Sequence, residues 1–344
     1  MAGISILFRP FAWGYSFVMG FRNMLFDAGV LPERRFGVPV VTIGNLAVGG
    51  TGKTPHTEYL YNLLKSRGKV GILSRGYGRS TKGFRWVHPT STVDECGDEP
   101  CQLKRKWGEA VVAVDENRCE GIQKMLETEK LAAIVLDDAY QHRYVKPDLN
   151  ILLTDYHRLF SDDRVLPEGH LRESVSGRRR ADFIIVTKCP ADLKPIDFSL
   201  LEKRVAPFAS QHLFFTTQQY SQPYPLFGED RPFVGTNILA VTGISNPQTL
   251  VDHLKMYGDV TPLRFSDHHP FGDEDLAKIN AAFSGHDAII TTEKDATRLV
   301  TVREKLSQEV RQALFVQPVE VSFLRDQAAD FRRLAEERLF AVRK

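Results

Sequence analysis

The segment that most constrains the fold is a buried-type strand followed directly by a glycine-rich loop and a helix. Residues 38–44 read VPVVTIG, residues 44–55 read GNLAVGGTGKTP, and residues 57–68 read TEYLYNLLKSRG. The first run is β-branched and apolar, as expected of a strand buried in a parallel sheet. The third run places its apolar side chains on one helical face and ends at a glycine. This order predicts an α/β chain in which a tight loop connects a buried strand to a helix.

The loop has most features of a phosphate-binding loop, although its first position departs from the pattern G-x-x-x-x-G-K-[ST]. The pattern ends on Gly52, Lys53 and Thr54, and Ala47 stands where its first glycine is expected. Such a loop offers backbone N–H groups to phosphate, a lysine to the outer phosphates and a hydroxyl to Mg²⁺. The alternative is a structural glycine turn that ends in GKT. The predicted nucleotide-binding residues are Gly49, Gly50, Thr51, Gly52, Lys53 and Thr54.

A phosphate-binding loop requires an acidic partner at the end of a neighbouring strand, which reaches Mg²⁺ directly or through water. The run LAAIVLDDAYQH at 131–142 supplies Asp137 and Asp138 directly after a buried-type strand. Adjacent carboxylates at such a position are costly to bury without a cation. We therefore predict Thr54, Asp137 and Asp138 as Mg²⁺ ligands; the alternative is a strand end that turns into solvent.

Composition narrows the class of protein. A chain of 344 residues can bury a large core and form two domains. The 45 Lys+Arg nearly balance the 43 Asp+Glu, and the net charge of +2 gives no reason to expect a nucleic-acid partner. The four cysteines form no C-x-x-C pair, so we expect free thiols in a reducing compartment.

Apolar runs of strand length recur along the chain and alternate with helical or polar stretches. This alternation predicts a P-loop NTPase-type parallel sheet with helices on both faces, and a second, smaller α/β domain joined to it by a hinge. The predicted division is an N-terminal amphipathic helix at 1–30, a P-loop core domain at 31–215, a linker at 216–234, the smaller domain at 235–320, and a C-terminal helix at 321–344 that packs back on the core.

The N-terminal residues 4–26 are rich in aromatic side chains. The uncharged stretch between Arg9 and Arg22 has twelve residues and contains a proline, whereas a spanning helix needs ~20 apolar residues. Apolar residues at helical spacing, flanked by arginines, are typical of a helix that lies in a membrane surface. The alternative is a helix that caps the core of a domain.

Several further motifs, taken together with the phosphate-binding loop and the aromatic N-terminus, resemble one family. They are SRGYGR (74–79), GDEP (97–100), LDDAYQHR (136–143), LPEGHLRE (166–173), FSDHHPF (265–271) and TTEKDATRL (291–299). Their order resembles the tetraacyldisaccharide 4′-kinase family of lipid A synthesis, with DDAY in place of the more usual D-D-G-F. Ala47 is not a departure within this family's loop.

The resemblance implies transfer of the γ-phosphate of ATP to the 4′-hydroxyl of a tetraacylated glucosamine disaccharide 1-phosphate, with Mg²⁺ and with lipid IVA as product. It also implies a peripheral or monotopic enzyme, a monomer, at the cytoplasmic face of a Gram-negative inner membrane. An acyl chain gains ~0.8 kcal/mol per buried CH₂, so a four-chain substrate stays in the bilayer and the enzyme must come to it.

The resemblance also implies three catalytic residues. Lys53 would contact the β- and γ-phosphates, Asp98 of GDEP would lie near the attacking oxygen, and His268 of SDHH would orient Asp98 or relay its proton. His269 is the alternative member of this pair.

Seven residues are predicted to bind the lipid substrate. Arg75, Tyr77 and Arg79 follow a strand in a glycine-rich turn, where a guanidinium could contact the sugar or its 1-phosphate; the alternative is a solvated turn. The other predicted cleft residues are Arg118, Gln141, His142 and Glu173.

The competing hypothesis is a membrane-associated nucleotide switch, an ATPase or GTPase. The run TKCPAD at 187–192 is similar to the guanine-reading [NT]-K-x-D, but Pro190 occupies the position of the aspartate. GTP specificity is therefore not supported, and a switch gives no use for SDHH beside GDEP.

Overall fold

The structure is a computed structural model that describes residues 2–340, with side chains from Pro10 onward. The predicted segments 1–30 and 321–344 therefore extend partly outside the described residues. The strands are β1 (Val40–Asn45), β2 (Val70–Ser74), β3 (Arg85–Trp86), β4 (Val111–Val114), β5 (Ala133–Leu136), β6 (Leu149–Asp155), β7 (Phe183–Thr187), β8 (His212–Tyr220), β9 (Tyr224–Pro225), β10 (Asn237–Thr242), β11 (Asp259–Arg264), β12 (Ala288–Thr292), β13 (Leu314–Gln317) and β14 (Val319–Phe323).

The helices alternate with these strands. They are α1 (Ala2–Asp27), α2 (Lys53–Leu64), α3 (Val93–Cys96), α4 (Asp98–Lys106), α5 (Arg118–Thr128), α6 (Pro195–Val205), α7 (Gln248–Leu254), α8 (Asp273–Ala282), α9 (Glu293–Leu299), α10 (Gln308–Ala313) and α11 (Ala328–Phe340). Short 3-10 helices lie at Lys65–Arg67, Phe160–Asp162, Val175–Arg180 and Val300–Lys305.

Within residues 2–340 the strands form two sheets. The larger has nine strands in the order β14-β8-β7-β6-β1-β5-β2-β4-β3. The strands from β8 to β4 pair in parallel, and β14 and β3 add antiparallel edges. Because parallel strands end at the same edge, the residues after β1, β2 and β5 come together there.

Helices cover both faces of the larger sheet, as predicted. Val41 and Ile43 of β1 pack with α2, α4 and α11, whereas Val40 packs with α5 on the opposite face. Both faces of these strands are buried, which explains why their sequences read as continuous apolar runs.

The smaller sheet has the order β11-β10-β12-β13-β9. Its first four strands are parallel, and β9 pairs antiparallel with β13. The segments that follow β12 and β11 carry the TTEKDATRL and SDHH motifs toward the larger sheet.

The predicted linker at 216–234 requires correction. Residues 216–220 complete β8, which pairs with β7 and β14 inside the larger sheet. The boundary at 320 also differs, because residues 319–323 form β14 of the larger sheet. The β-branched and aromatic run in HLFFTTQQY favours a strand more strongly than its glutamines favour a loop.

The C-terminal helix α11 packs on the core of the larger sheet. Phe331, Ala335 and Leu339 are buried in the same apolar cluster as β1 and β6. The ring of Phe331 lies 5.1 Å from that of Phe214 and 5.5 Å from that of Phe183. This helix therefore covers one face of the sheet close to α2.

The N-terminal helix α1 is largely exposed. Ala12 and Phe26 are buried, whereas apolar side chains elsewhere along the helix face outward, with 74% exposure for both Trp13 and Phe17. The exposed large apolar residues of the helix are Phe11, Trp13, Tyr15, Phe17, Val18, Phe21 and Met24. Among the described residues, no helix has the length and apolar character needed to cross a membrane.

Candidate active site

The predicted phosphate-binding loop connects β1 to α2. Gly49 and Gly52 have φ values of 105° and 80°, which residues with a Cβ atom rarely adopt. Thr51 is buried, and its polar atoms have partners inside the protein. Asn45 Nδ2 donates to its Oγ1 at 2.9 Å, and Thr187 Oγ1 donates to its carbonyl at 2.9 Å. The loop is thus held from below, and α2 begins at Lys53, so its free N–H groups lie where phosphate would bind.

Two supports of this loop escaped prediction from sequence. His56 Nδ1 lies 2.7 Å from the Gly52 carbonyl, which can only accept, so Nδ1 carries the proton. Nε2 then accepts from the hydroxyl of Thr216 at 3.0 Å. Burial lowers the pKa of His56 to about 4, which keeps the ring neutral.

Lys188 is the second support. Its Nζ donates to the Gly50 carbonyl and pairs with Asp155 at 2.8 Å. Lys188 belongs to the TKCPAD run, whose similarity to a guanine-reading motif gave no indication of this contact with the loop.

The two predicted acidic ligands follow β5 and lie beside the loop. Lys53 Nζ is 3.7 Å from Asp138 Oδ2, and Arg172 Nη1 donates to Asp138 at 3.0 Å. Burial raises the pKa of Asp138, but the charges of Lys53 and Arg172 outweigh it and leave the pKa below its ordinary value. Asp138 is therefore charged at neutral pH.

Asp137 lies deeper than Asp138. The hydroxyl of Thr57 donates to its Oδ1 at 3.0 Å. Burial, followed by the charges of Asp138 and Glu99, raises the pKa of Asp137 to about 6. This buried negative charge is only partly compensated by protein cations.

These oxygen donors fit Mg²⁺. The hydroxyl of Thr54 is partly exposed at the start of α2, and Asp137 and Asp138 add carboxylates whose charge a divalent cation would offset. In the part of the chain with described side chains, no three His, Cys, Asp or Glu residues cluster to hold a metal by themselves. That pattern suits Mg²⁺, which usually takes one or two carboxylates together with substrate phosphates.

Asp98 and His268 meet across the two sheets. His268 Nδ1 donates to Asp98 Oδ2 at 2.6 Å, although 170 residues separate them in sequence. Asp98 is the first residue of α4 and is nearly fully buried. His269 instead places Nε2 2.8 Å from Asp275, so the geometry favours His268 over His269 as the partner of Asp98.

Residues of α9 complete this cluster. Arg298 donates to both carboxylate oxygens of Asp98, and its Nε lies 2.8 Å from Oδ1. Lys294 Nζ lies 2.9 Å from His268 Nε2. From sequence, Lys294 was considered only as a residue near the nucleotide base or the domain hinge, and Arg298 was not singled out, because their partners lie in distant segments.

The side chains of the glycine-rich turn after β2 point in two directions. Arg75 and Tyr77 are exposed, and the Tyr77 ring lies 6.0 Å from that of His268. Arg79 instead turns inward, pairing with Glu116 at 2.7 Å and donating to the Gly83 carbonyl at 2.8 Å. Arg79 thus stabilises its own loop, and its contact with substrate stays a prediction.

Other predicted cleft residues also form hydrogen bonds within the protein. Arg118 is buried and donates to the carbonyl of Asp115 at 2.6 Å. Glu173 is buried and accepts from Arg180 at 2.7 Å and from Gln141 at 3.1 Å. Their roles in binding substrate stay predictions.

His142 marks a cluster of cationic side chains. Its Nε2 is buried without a hydrogen-bond partner. Burial, and then the charges of Arg118, Arg22 and Arg75, lower the pKa of His142 to about 4. Three guanidinium groups are therefore near enough to act on a neutral imidazole through their charge, and an excess of positive charge favours an anion. From sequence, Arg22 was recognised only as a charge that flanks the aromatic segment.

Helix α1 touches this part of the site. Asn23 Nδ2 donates to Glu173 at 2.9 Å, and Tyr15 donates to the Arg172 carbonyl at 2.8 Å. Arg172 also binds Asp138, so the helix with the exposed apolar side chains lies next to the phosphate-binding loop.

Comparison with known proteins identifies the family. A model of the tetraacyldisaccharide-1-P 4′-kinase family matches residues 4–338. Relatives named tetraacyldisaccharide 4′-kinase include one from Bacteroides thetaiotaomicron, 46% identical over 94% of this chain and 90% of its own length, and one from Flavobacterium johnsoniae, 42% identical over 94% and 93%.

A solved structure agrees. LpxK from Aquifex aeolicus, crystallised in complex with ATP, is 28% identical with a TM-score of 0.77 and covers 98% of this chain and 99% of its own. The predicted fold class and the resemblance to a kinase family are confirmed, and the nucleotide-switch hypothesis gains no support. The chain therefore belongs to the tetraacyldisaccharide-1-P 4′-kinase family.

Proposed function

We propose that this protein transfers the γ-phosphate of ATP to the 4′-hydroxyl of a tetraacyldisaccharide 1-phosphate, with Mg²⁺, to form lipid IVA. The observation that carries the proposal is the pairing of Asp98 and His268 at 2.6 Å, contributed by the two sheet units. Asp98 begins α4, which packs on the same sheet as the phosphate-binding loop, and His268 comes from the smaller sheet. A nucleotide switch would have no use for such a pair.

In the proposed reaction the loop holds the nucleotide. Its N–H groups and the start of α2 bind the phosphates, and Lys53 reaches the β- and γ-phosphates. Thr54, Asp137 and Asp138 would hold Mg²⁺, which when bound neutralises charge on the phosphate oxygens. Because Asp138 contacts both Lys53 and Arg172, its carboxylate stays aimed at this point.

Asp98 would accept a hydrogen bond from the sugar hydroxyl, and His268 would hold Asp98 in place. The cationic cluster of Arg22, Arg75 and Arg118 would receive an anionic group of the substrate, for which the 1-phosphate is suited. Tyr77 is exposed beside His268 and would contact the sugar. Arg79, Gln141, His142 and Glu173 would shape the cleft.

The exposed side of α1 would bring the enzyme to its substrate. Phe11, Trp13, Phe17 and Phe21 form an apolar surface on a helix, and such a surface favours an interfacial position in a bilayer. The acyl chains would then remain in the membrane while the sugar reaches the loop beside α1. We place the protein, as a monomer, at the cytoplasmic face of the inner membrane, where ATP is present.

Phosphate transfer from γ-labelled Mg-ATP to a tetraacyldisaccharide 1-phosphate in mixed micelles tests the proposal. Wild-type protein should give a labelled lipid, and Asp98→Asn should lose ~10²–10⁴-fold in turnover while it still binds ATP. Asp94→Asn is a matched control, because Asp94 is an exposed carboxylate one turn earlier. Lipid-independent ATP hydrolysis with no labelled lipid would contradict the proposal and support the nucleotide-switch hypothesis.

A further inference from the structure

The carboxylate of Asp98 accepts two hydrogen bonds from the guanidinium of Arg298, which lies on α9, after a strand of the smaller sheet. Arg298 Nε donates to Oδ1 at 2.8 Å, and Nη2 donates to Oδ2. Both side chains are almost fully buried, at 6% and 5% exposure. A two-pronged contact of this kind is stronger and more directional than a single ion pair.

Lys294, one turn earlier on α9, fixes the protonation of His268. An ammonium group has donors and no acceptor, so the 2.9 Å contact from Lys294 Nζ makes His268 Nε2 an acceptor. The ring proton of the neutral imidazole is therefore on Nδ1, where it points to Asp98 Oδ2 at 2.6 Å. Arg298 Nη2 also lies 3.3 Å from Nδ1, but its closer contact is with Asp98 Oδ2, to which it donates. In this form His268 orients Asp98 and has no free nitrogen with which to take a proton.

We propose that Arg298 and Lys294 are positioning residues for phosphoryl transfer. Arg298 keeps the Asp98 carboxylate charged and aimed, and Lys294 holds His268 with its proton on Nδ1. This inference rests on the proposed function, in which Asp98 faces the acceptor hydroxyl. Asp98 then acts first as a hydrogen-bond acceptor that aligns this hydroxyl, and it takes the proton only as the new bond forms.

The step balances without another reactant. The 4′-oxygen forms a bond to the γ-phosphorus, the bond from this phosphorus to the β,γ-bridging oxygen breaks, and its electron pair leaves on ADP. The hydroxyl proton passes to the Asp98 carboxylate and then to solvent. In a loose transition state little charge develops on the attacking oxygen, so a weakly basic but well-aligned carboxylate is sufficient.

The charges around Asp98 support this assignment. Burial raises the pKa of Asp98, but hydrogen bonds from His268 and Arg298 and the charge of Arg298 outweigh it and lower the pKa to about 2. The other ionisable groups around this cluster are Asp295, Lys294, Asp267, Cys101, Arg105 and Tyr77. Of the cationic groups, Arg298 alone among the described residues contacts both carboxylate oxygens.

A pH profile of kcat/KM with the lipid substrate tests the role of Arg298. Any acidic limb of wild type should be the one that Asp137 produces near its pKa of about 6, with no contribution from Asp98. Relative to wild type, Arg298→Gln should lose about 10-fold or more at its plateau, and it should lose about a further 10-fold between pH 7 and pH 5, because Asp98 then protonates more easily. Arg298→Lys keeps the charge and should restore the wild-type profile.

KM for ATP should change less than about 3-fold in both variants, because Arg298 does not touch the phosphate-binding loop. Arg298→Gln with a reduced plateau and an unaltered pH profile would show a merely structural residue and overturn the proposal. Full activity in Arg298→Gln would overturn it as well.

The role of Lys294 is tested without turnover. In the ¹⁵N NMR spectrum of the full-length protein, assigned by comparison with His268→Gln, His268 should carry its proton on Nδ1. Lys294→Met should give a mixture of tautomers, and Lys255→Met, at an exposed lysine directly after α7, should not. A wild-type signal protonated on Nε2 would overturn the proposal.

The two tests separate two kinds of failure. If wild type transfers no phosphate to the lipid but shows the Nδ1 tautomer and its dependence on Lys294, the proposed substrate is wrong and the contact geometry stands. If transfer occurs and the tautomer or the pH profile differs from expectation, the positioning roles are wrong and the proposed function stands.

Discussion

Lys106 connects the three helices that carry the main parts of the site. Its Nζ lies 2.6 Å from a carboxylate oxygen of Glu58 and 2.6 Å from one of Glu293. Glu58 is on α2, Lys106 ends α4, and Glu293 begins α9. Both carboxylates are almost fully buried. Replacing Lys106 with methionine would keep most of the side-chain volume and leave two buried carboxylates without their cation.

The size of the effect follows from this geometry. Removing one partner of a buried ion pair typically costs about 3–5 kcal/mol. The alternative for the variant is to protonate Glu58, whose pKa is already raised to about 7 in the folded protein. This protonation costs about 1.4 kcal/mol at pH 8, one unit above that pKa, and nothing further at pH 5. We therefore expect Lys106→Met to lose up to about 3–5 kcal/mol of unfolding free energy at pH 8, and to lose about 1.4 kcal/mol less than this at pH 5.

The direction with pH can be checked against Glu58. Burial and the charge of Glu293 already raise its pKa in the folded protein, and loss of Lys106 should raise it further. A carboxyl group with a raised folded-state pKa binds protons more tightly when folded, so stability falls as pH rises from the unfolded value of ~4.3 to the folded value. The deficit of the variant should therefore grow from pH 5 to pH 8.

Urea unfolding at pH 5 and pH 8, followed by circular dichroism, measures this difference. Lys124→Met is the matched control, because Lys124 forms an exposed pair with Glu120 within one helix and should change stability by less than ~0.5 kcal/mol. The double variant Glu58→Gln with Lys106→Met should recover part of the loss at pH 8. A deficit below 1 kcal/mol that is equal at both pH values would refute the reasoning.

Two further predictions concern the C-terminal and N-terminal helices. Phe331→Ala should destabilise the protein by about 3–5 kcal/mol, because its ring is buried among other aromatic rings; thermal unfolding would show it, and a shift no larger than that of Phe208→Ala, at an exposed ring, would contradict it. Replacing Trp13 and Phe17 together with serine should weaken binding to anionic lipid vesicles by about 10²- to 10⁴-fold, since each buried ring contributes ~1.5–3 kcal/mol. Vesicle co-sedimentation measures this, Ile196→Ser on α6 is the control, and unchanged binding would exclude α1 as the membrane contact.

The sequence predicted best what is determined locally. The strand, loop and helix of residues 38–68 are contiguous, so the apolar run, the glycines and the stop at Gly68 carry their own structural signal. Asp137 and Asp138 were found for the same reason, since the end of a buried strand can be recognised from one short segment.

Contacts between distant segments were beyond this kind of inference. Asp98 and Arg298 are 200 residues apart, and no periodicity indicates that they meet. The pairing of Asp98 with His268 came from family resemblance rather than from physical chemistry. Likewise, nothing in the local sequence indicates that β14, which follows the smaller sheet in the chain, returns to pair with β8 at the edge of the larger sheet.

The contacts between α4 and α9 depend on how the chain crosses from one sheet to the other. It leaves the larger sheet after β8 and returns through β14, and the two crossings are adjacent, with Ser221 N donating to the Pro318 carbonyl at 3.3 Å. A unit attached by two adjacent strands can rotate about that attachment. Such a rotation would change the contacts of α9 with α4 together.

Lys106–Glu293 and Asp98–Arg298 both span this contact between α4 and α9, so they should not be energetically independent. Residues that share one interface show coupling of 0.5–3 kcal/mol in double-mutant cycles. We therefore expect Lys106→Met combined with Arg298→Gln to lose less unfolding free energy at pH 8 than the sum of the single variants. Strict additivity of the two would show that α9 keeps its place on α4 without either ion pair.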